Sequence, residues 1–595
     1  MKNRRIVTRI GNLAAALVLL AALMSCSQVL QGGSWIRPVE HTPTKEEMRQ
    51  LDKGILPGIR IGNSEAKYHY SLGQMYLARR EFAKAEQEYR KSIQLDESSM
   101  FIRTELASLL ISLGRTDEAI EEVKHALALD SSYIPLYFLL GELYSNKGLY
   151  SEAREAYEKI LKIDPSHEQA HISLSVLLAR DKKFSDAIII LENLIKKKPE
   201  SVFGYYYLGK LYAEQQNYEK AIQGLTKARD LKPNSQSVLM ELALVYELNK
   251  SNLQAIRTYK DLLDIEPSNI TALLRVGQLY VLEDQPDRAL EYLNRALMLR
   301  PKDDRIHAKI GLLYLEKKEY DTAIRIFTEL SARKPEEDRY KYYLAAAYEE
   351  KGDLQSAEKH FKKLDARSPV FIESRIHLAY ILTARGNIEA ALQTMDEAIG
   401  AEPENLDSYS FKASILTDAS RYQEAVYVLN EGIKVDPSST KLLYQLGILY
   451  DKWGKKDLGV ETMLQIIEID AEHANALNYV GYTYAEKGIR LDEAEELIKK
   501  ALTIKPDDGY ITDSLGWVYY QKSLIPQAIE VLERAVSIVS NDPIILEHLG
   551  DAYRKDGRNK DALKMYRKAL TRVRKKDHKA RLMKKIGELK RKTEN

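Results

Sequence analysis

Short apolar patterns of helical spacing alternate with polar turns along this chain, and they recur at a period much longer than one helix. Fixing the register on the stretch from Asn478 to Tyr484, Asn-Tyr-Val-Gly-Tyr-Thr-Tyr, carries it back to residue 66 and forward to residue 576. Units then begin at Ala66, Met100, Ile134, Glu168, Val202, Gln236, Ile270, Asp304, Asp338, Ile372, Leu406, Thr440, Ala474, Gly509 and Pro543. Adjacent starts differ by 34 residues, except for the 35-residue step from Ala474 to Gly509. Such a period marks an array of small units, so 595 residues are not to be divided by an ordinary domain size.

Certain positions of the unit form columns. Position 8 is always small, from Gly73, Ala107 and Gly141 through Ser175 to Gly516 and Gly550, and position 20 is Ala from Ala85 to Ala562 except at Gly459. Residues this small are expected where helices approach closely, since a large side chain there would overpack the contact at a cost of about 1–3 kcal/mol. Position 11 is usually Tyr, as at Tyr76, Tyr212, Tyr280, Tyr484 and Tyr553, and position 24 is aromatic or aliphatic, as at Tyr89, Tyr157, Phe327 and Tyr566. Both sets of rings are expected to sit opposite the small columns as knobs. Gly recurs near position 15, at Gly114, Gly148, Gly352, Gly386, Gly454, Gly488 and Gly557, where a helix end needs a left-handed residue. Pro recurs at position 32, from Pro165 to Pro506, often followed by a Ser or Asn able to cap the next helix. Each unit therefore reads as two antiparallel helices, A and B.

Length, small columns, aromatics and Pro together resemble the tetratricopeptide repeat (TPR), whose unit is 34 residues. The resemblance covers residues 66–576 as fifteen units. It implies an all-α superhelical solenoid, stabilised by neighbour interfaces, with the A helices lining a concave groove. Residues 577–595 place Leu582, Met583, Ile586 and Leu589 at helical spacing and read as a basic capping helix over the last B helix.

Composition alters this picture in two places. The chain carries 38 Tyr against 9 Phe and 3 Trp, an excess that the aromatic columns absorb without any chemistry. Net charge is only +2 with 30% charged residues, which argues against a general polyanion-binding surface. One local asymmetry remains, the run of Lys and Arg from Arg567 to Lys592, which reads as the solvated face of the capping helix or as a contact with lipid headgroups or another polyanion.

The N-terminus has a separate logic. Lys2, Arg4, Arg5 and Arg9 precede the apolar run Leu13 to Met24, too short to span a bilayer comfortably, and residues 1–25 read as a signal peptide. Leu23-Met24-Ser25-Cys26 resembles the bacterial lipobox, and Cys26 is the only cysteine, so no intramolecular disulfide can form. The resemblance implies lipidation of Cys26 and export across the inner membrane. Ser27 at the next position implies the periplasmic face of the outer membrane. Residues 26–65, with Gly32-Gly33, Pro38, Pro43 and Pro57-Gly58, read as a flexible tether.

Motifs for chemistry are few. His167-Glu168-Gln169-Ala170-His171 matches the H-E-x-x-H pattern in which two His bind zinc and the Glu is a general base. In register, however, His167 ends one unit and His171 is position 4 of the next, and no third ligand is evident. Neither a phosphate loop, a nucleophile elbow nor a Cys pair is present, and repeats leave no room for an appended catalytic domain. No catalytic residue, metal site or cofactor is expected, and nucleic acid is not expected for an exported protein.

The groove is the remaining site. By resemblance, positions 2, 5, 9 and 12 of each A helix face it, and here they include Phe203, Tyr206, Lys210, Tyr342, Tyr444, Tyr482, Tyr510, Asp513 and Trp517. Exposed aromatics on a concave wall suit docking of a peptide or a partner helix. The Lys-and-Asn clamp of chaperone-binding family members is missing. These features lead to the expectation of a non-catalytic scaffold tethered to the envelope, assembling a pilus, secretion or exopolysaccharide-export machine by holding protein segments in its groove. The competing expectation is an enzyme or enzyme subunit, either a metal-dependent protease through His167 and His171 or a glycan-processing partner.

Overall fold

Position 8 is where the two helices of a repeat meet. A Cβ built on Gly73 would lie 2.6 Å from the Tyr89 ring, one on Gly141 2.6 Å from Tyr157, and one on Gly550 2.6 Å from Tyr566. The same clash, with an aliphatic side chain, occurs at Gly209 with Leu225, Gly481 with Ile498 and Gly516 with Leu532. Position 24 of the B helix is thus the knob that fills the notch left by position 8, as expected. Position 20 completes the contact: Ala85, Ala119, Ala153 and every later Ala of the column are fully buried.

The tyrosines of position 11 do not fill that notch. They lie one turn further along the A helix, where their rings carry cations from the B helix: Lys84 over Tyr76, Lys220 over Tyr212, Arg288 over Tyr280 and Arg558 over Tyr553, the last 4.1 Å from the centroid. Tyr76 and Tyr212 are half-buried and Tyr280 and Tyr553 buried, each ring presenting a face to its cation.

The computed structural model describes residues 64–594; the leader, Cys26 and the tether up to residue 63 lie outside the described residues. Among the described residues there are 31 helices and no strand. They run as fifteen A–B pairs from Ser64–Ala78 and Phe82–Leu95 to Pro543–Lys555 and Asn559–Leu570, closed by Lys576–Glu594. The chain divides into two compact units, residues 64–313 and 314–594. In each, helix pairs stack as an all-α solenoid. A helices are covered on two sides, so Met100–Ser112 buries Ile102, Leu106, Ala107, Leu109 and Leu110. B helices bury one stripe, such as Ala119, Ile120, Val123, Ala126 and Leu127 of Thr116–Leu129. Each fully buried Leu or Ile contributes about 1.5–3 kcal/mol relative to exposure, so stability is spread along the array.

All A helices end alike. Position 15 has positive φ in all fifteen repeats: at the seven glycines, and also at Arg80, Lys182, Gln216, Lys250, Asp284, Lys318, Ser420 and Ser523, with φ of 55–62°. The N–H of position 16 then donates back to the carbonyl of position 11, as Asn217 does to Tyr212 at 2.9 Å, closing a Schellman turn. The 35-residue repeat absorbs its extra residue with a second left-handed one. Gly488 closes the turn and Arg490, φ 48°, resets the chain so that Leu491–Ile504 begins in register. The Arg490 guanidinium lies 4.8 Å from the Tyr484 ring centroid and donates to its hydroxyl at 2.7 Å.

One B helix departs from the pattern. Leu354–Phe361 stops after 8 residues where the others run 12–14. Buried Arg375 of the next A helix donates to the carbonyls of Phe361 and Leu364 at 2.7 and 3.0 Å, satisfying groups the lost turn would have paired.

Two substitutions test these constraints. Gly141→Val drives side-chain atoms into Tyr157 and is expected to destabilise its helix pair by about 2 kcal/mol, read by urea unfolding and by faster amide exchange in Ile134–Ile163. Lys250→Gly removes a left-handed strain of about 1 kcal/mol per residue and is expected to raise stability by a smaller amount, since glycine also loosens the unfolded chain.

Candidate functional site

In the first unit, Phe203 stands on the A helix Val202–Glu214 at position 2 with 51% of its surface exposed. One turn on, Tyr206 packs edge-on against Tyr207 at 5.2 Å. The Lys210 ammonium lies 5.5 Å from the Tyr206 ring and 3.8 Å from Glu241 of the next A helix, Gln236–Leu248. Burial pushes the Glu241 carboxyl up, opposed by Lys210, and burial likewise keeps the Tyr206 phenol protonated. Phe203, Tyr206 and Lys210 therefore form one aromatic and polar patch shared by two repeats.

The second unit corrects part of the groove reading. Tyr342, expected on an exposed wall, is 4% exposed. Its ring packs edge-on against Phe361 and His377, each at 5.7 Å, and its hydroxyl oxygen lies 3.1 Å from His377 Nε2. His377 Nδ1 is 2.7 Å from Glu349; burial opposes charge on the imidazole, but the charge and hydrogen bond of Glu349, helped by Glu350 and Glu373, together raise it above its ordinary value. Tyr444 stays half-buried beside the His473 ring, 5.6 Å away.

Tyr482, Asp513 and Trp517 converge on a residue the sequence reading did not select, His548. Both carboxylate oxygens of Asp513 accept from His548 Nδ1, at 3.0 and 2.9 Å, and Asp513 is only 5% exposed. The Trp517 indole stacks between His548 at 4.2 Å and Tyr520 at 4.7 Å. The Tyr482 ring is 6.4 Å from the same imidazole. Burial opposes charge on His548, but the charge and hydrogen bond of Asp513, helped by Asp551 and Glu547, raise it above its usual 6.5. Asp513 and Trp517 are thus committed to this cluster, because a buried carboxylate and imidazole each need the other. Tyr510 alone of the group points outward, 57% exposed.

Beside this cluster the chain's last helix docks. Glu547, 3% exposed, accepts from His578 Nε2 at 2.5 Å and from both Arg581 Nε and Nη2 at 3.0 Å, while Lys585 reaches it at 2.8 Å. Lys585 also donates to Asp551, which accepts from the Tyr566 hydroxyl at 2.7 Å. Burial works against charge on Glu547, yet the hydrogen bonds from Arg581 and Lys585 hold it down to about 2. Leu582 and Leu589 are buried beneath the helix as a cap requires, whereas Met583 is 54% exposed and not part of the contact.

His167 and His171 are spent on helix geometry. His167 Nδ1 accepts from the Ala170 N–H at 3.2 Å as the N-cap of Glu168–Arg180, and His171 Nε2 donates to the Pro165 carbonyl at 3.0 Å. His473 caps its A helix in the same way. Among the described residues no three His, Cys, Asp or Glu are grouped to hold a metal ion, and no helix is long and apolar enough to cross a membrane.

Sequence profiles described as "Tetratricopeptide repeat" match residues 66–99, 110–177, 202–235, 248–313, 281–348, 348–415, 440–473 and 545–580, three of them bounded at the repeat limits found above. The chain belongs to the tetratricopeptide repeat family. A TPR repeat-containing protein of Pseudomonas aeruginosa is 40% identical over 89 residues, which span 15% of each chain. A structure of Naa15/Naa10 bound to HypK-THB covers 88% of this chain and 99% of that one at 14% identity, TM-score 0.37. A tetratricopeptide repeat protein from Parabacteroides merdae covers 42% of this chain and 99% of that one at 14% identity, TM-score 0.31.

In this TPR protein the column that sequence reasoning missed is position 6. His377, Gln445 and His548 each reach back 35 residues to position 5 of the preceding A helix, at Tyr342, Ser410 and Asp513. Glu241 and Arg275 reach Lys210 and Glu247 in the same direction. The signal was present as polar residues recurring at position 6 of several A helices. Where such a tie exists, positions 5, 9 and 12 are partly consumed by it; at position 2, Phe203, Tyr510 and Ile544 stay exposed, whereas Asp407 and Lys441 pair with each other.

The His548 tie makes stability depend on pH. Its raised value means the imidazolium contribution is complete below pH 6.5 and is lost as pH climbs through the folded value. Melting temperature is expected to fall as pH rises above 6.5 through the raised folded value, and Asp513→Asn should flatten that dependence while returning the His548 ring-proton NMR titration toward the ordinary imidazole range. A His548 titration unmoved by Asp513→Asn would refute the pairing.

Proposed function

We propose that this TPR protein is a non-catalytic scaffold, tethered to a bacterial envelope membrane through Cys26 and facing the periplasm from the outer membrane. It gathers segments of partner proteins along its A helices during assembly of a pilus, secretion or exopolysaccharide-export machine. The TPR fold itself supports a protein-binding scaffold in general. The observation that carries the reading here is the position 2 column: Phe203, Tyr510 and Ile544 expose 51%, 57% and 47% of their surfaces. Large apolar residues in water, beside half-buried Tyr206 and Tyr482, are the anchors from which protein interfaces draw most of their energy. The lipobox-like Leu23-Met24-Ser25-Cys26 supports the tether, and it lies outside the described residues. A tether would hold many weak contacts near one membrane, so that they act together as one strong attachment.

Photocrosslinking residues placed at Phe203 and Tyr510 in cells are expected to recover the same envelope proteins reproducibly, and Tyr427, 65% exposed on a B helix, to recover none of them. Adducts shared equally with Tyr427 would move the binding surface off the A helices. Phe203→Ala and Tyr510→Ala should each weaken capture by about fivefold or more, as loss of an interface anchor worth over 1 kcal/mol does. Separately, Cys26→Ser should shift the protein from salt-washed membranes to the soluble fraction, and unchanged retention through a molar-salt wash would remove Cys26 as the anchor.

A further inference from the structure

From Arg567 to Arg591 the chain carries twelve Lys and Arg against only Asp577 and Glu588, within a protein whose net charge is +2. The structure sorts eight of these cations into two sets. Arg581 and Lys585, with His578, turn inward onto Glu547 and Asp551, and these contacts dock the helix. Lys576, Lys579 and Lys584 of the same helix are exposed, as are Arg572, Arg574 and Lys575 in the turn that leads into it. Among the described residues, none of these six side chains makes an ion pair or a hydrogen bond. That differs from many exposed cations elsewhere, which are matched: Lys124 with Glu121, Lys351 with Asp321, Arg421 with Glu389 and Glu424, Lys499 with Glu495.

Six unmatched positive charges within a turn and about two helical turns repel one another, and a nearby negative surface relieves that repulsion. Helical spacing sets Lys576, Lys579, Ala580, Met583 and Lys584 along one side, so the exposed cations flank a thioether that is itself 54% exposed. A convex basic face with an apolar centre, at the end of the fold rather than in a cavity, has the form of an interfacial membrane contact and not of a pocket for one phosphate. We infer that the outward face of the C-terminal helix, with the Arg572–Lys576 turn, docks on the anionic headgroups of a phospholipid bilayer. The inward triad holds the helix in place for this, and the outward set makes the contact. The inference rests on the reading that the protein works at a membrane, but it does not need Cys26.

The test uses the chain from residue 26 onward carrying Cys26→Ser, which keeps every described helix and removes the acylation site. Co-sedimentation is measured with vesicles of phosphatidylcholine alone and of phosphatidylcholine mixed with phosphatidylglycerol. The protein should partition onto the mixed vesicles and not the neutral ones, and molar salt should release it. At about 1 kcal/mol per cation near such a surface, Lys576→Gln/Lys579→Gln/Lys584→Gln should lower the partition coefficient about a hundredfold with an unchanged thermal melt. The control Lys359→Gln/Lys363→Gln/Lys500→Gln removes the same charge from exposed lysines elsewhere and should leave partitioning nearly intact. Absence of partitioning, equal partitioning onto both vesicles, or an equal fall in the two triple variants would each overturn the assignment. None of these results bears on the Cys26 anchor, which fractionation of the acylated protein in cells decides.

Discussion

The two helices of a repeat can come only as close as the side chain at position 8 permits. Where that residue is glycine, the side chain at position 24 occupies the space a Cβ would need, whether it is Tyr89, Leu225, Ile498 or Tyr566. Position 20 must then be Ala or Gly, because the backbone beside it is already in contact: the Ala494 carbonyl lies 3.0 Å from where a Cβ on Gly481 would be. Three columns of the sequence thus express one distance, repeated along each unit of the array. The side of each A helix that faces away from this contact takes its orientation from the same distance.

This is why the fold could be read from the residues and the turns only in part. Overpacking penalises any large residue at position 8, so the column survives every change of its neighbours and shows plainly. The left-handed residue at position 15 is under a weaker constraint. A cost of about 1–2 kcal/mol is tolerable in a helix end held by packing on both sides, so Arg80, Lys182 and Lys250 occupy it as well as Gly114 does. The conformation is uniform while the residue type is not, and reading glycines alone recovers seven of the fifteen. Position 11 misled for the opposite reason. Its tyrosines are consistent in type, but they share the A helix with the notch they were expected to fill, so their rings turn instead to cations at the start of the B helix.

The groove was legible as a direction and not as a surface. Spacing selected Phe203 and Tyr510, and both side chains are exposed. It could not tell that Tyr342 and Asp513 are covered, because the covering group arrives 35 residues later from position 6 of the next A helix. A buried carboxylate such as Asp513 is stable only with a partner, and the nearest polar residue on the adjacent A helix is His548. Applying that requirement to each polar residue in an A helix would have revealed the position 6 column from the sequence, since Glu241, Arg275, His377, Gln445 and His548 interrupt apolar patterns at one fixed phase.

The same requirement divides the basic C-terminus. Charge counting treats Arg567 to Arg591 as a single patch, yet the helical period assigns its members to different surroundings. His578, Arg581 and Lys585 are spaced by three and four residues, flank buried Leu582 and Leu589, and meet two carboxylates of the last A helix, Glu547 and Asp551. They meet at a Glu547 that is 3% exposed, and the hydrogen bonds from Arg581 and Lys585 hold that carboxylate ionised against its own burial. Lys576, Lys579 and Lys584 sit in water, where a single pair would add little. Such charges gain a substantial effect only against an extended surface that engages all of them at once. The inward set therefore explains how the helix is held, and the outward set has a role only if something broad and negative lies beyond the end of the solenoid.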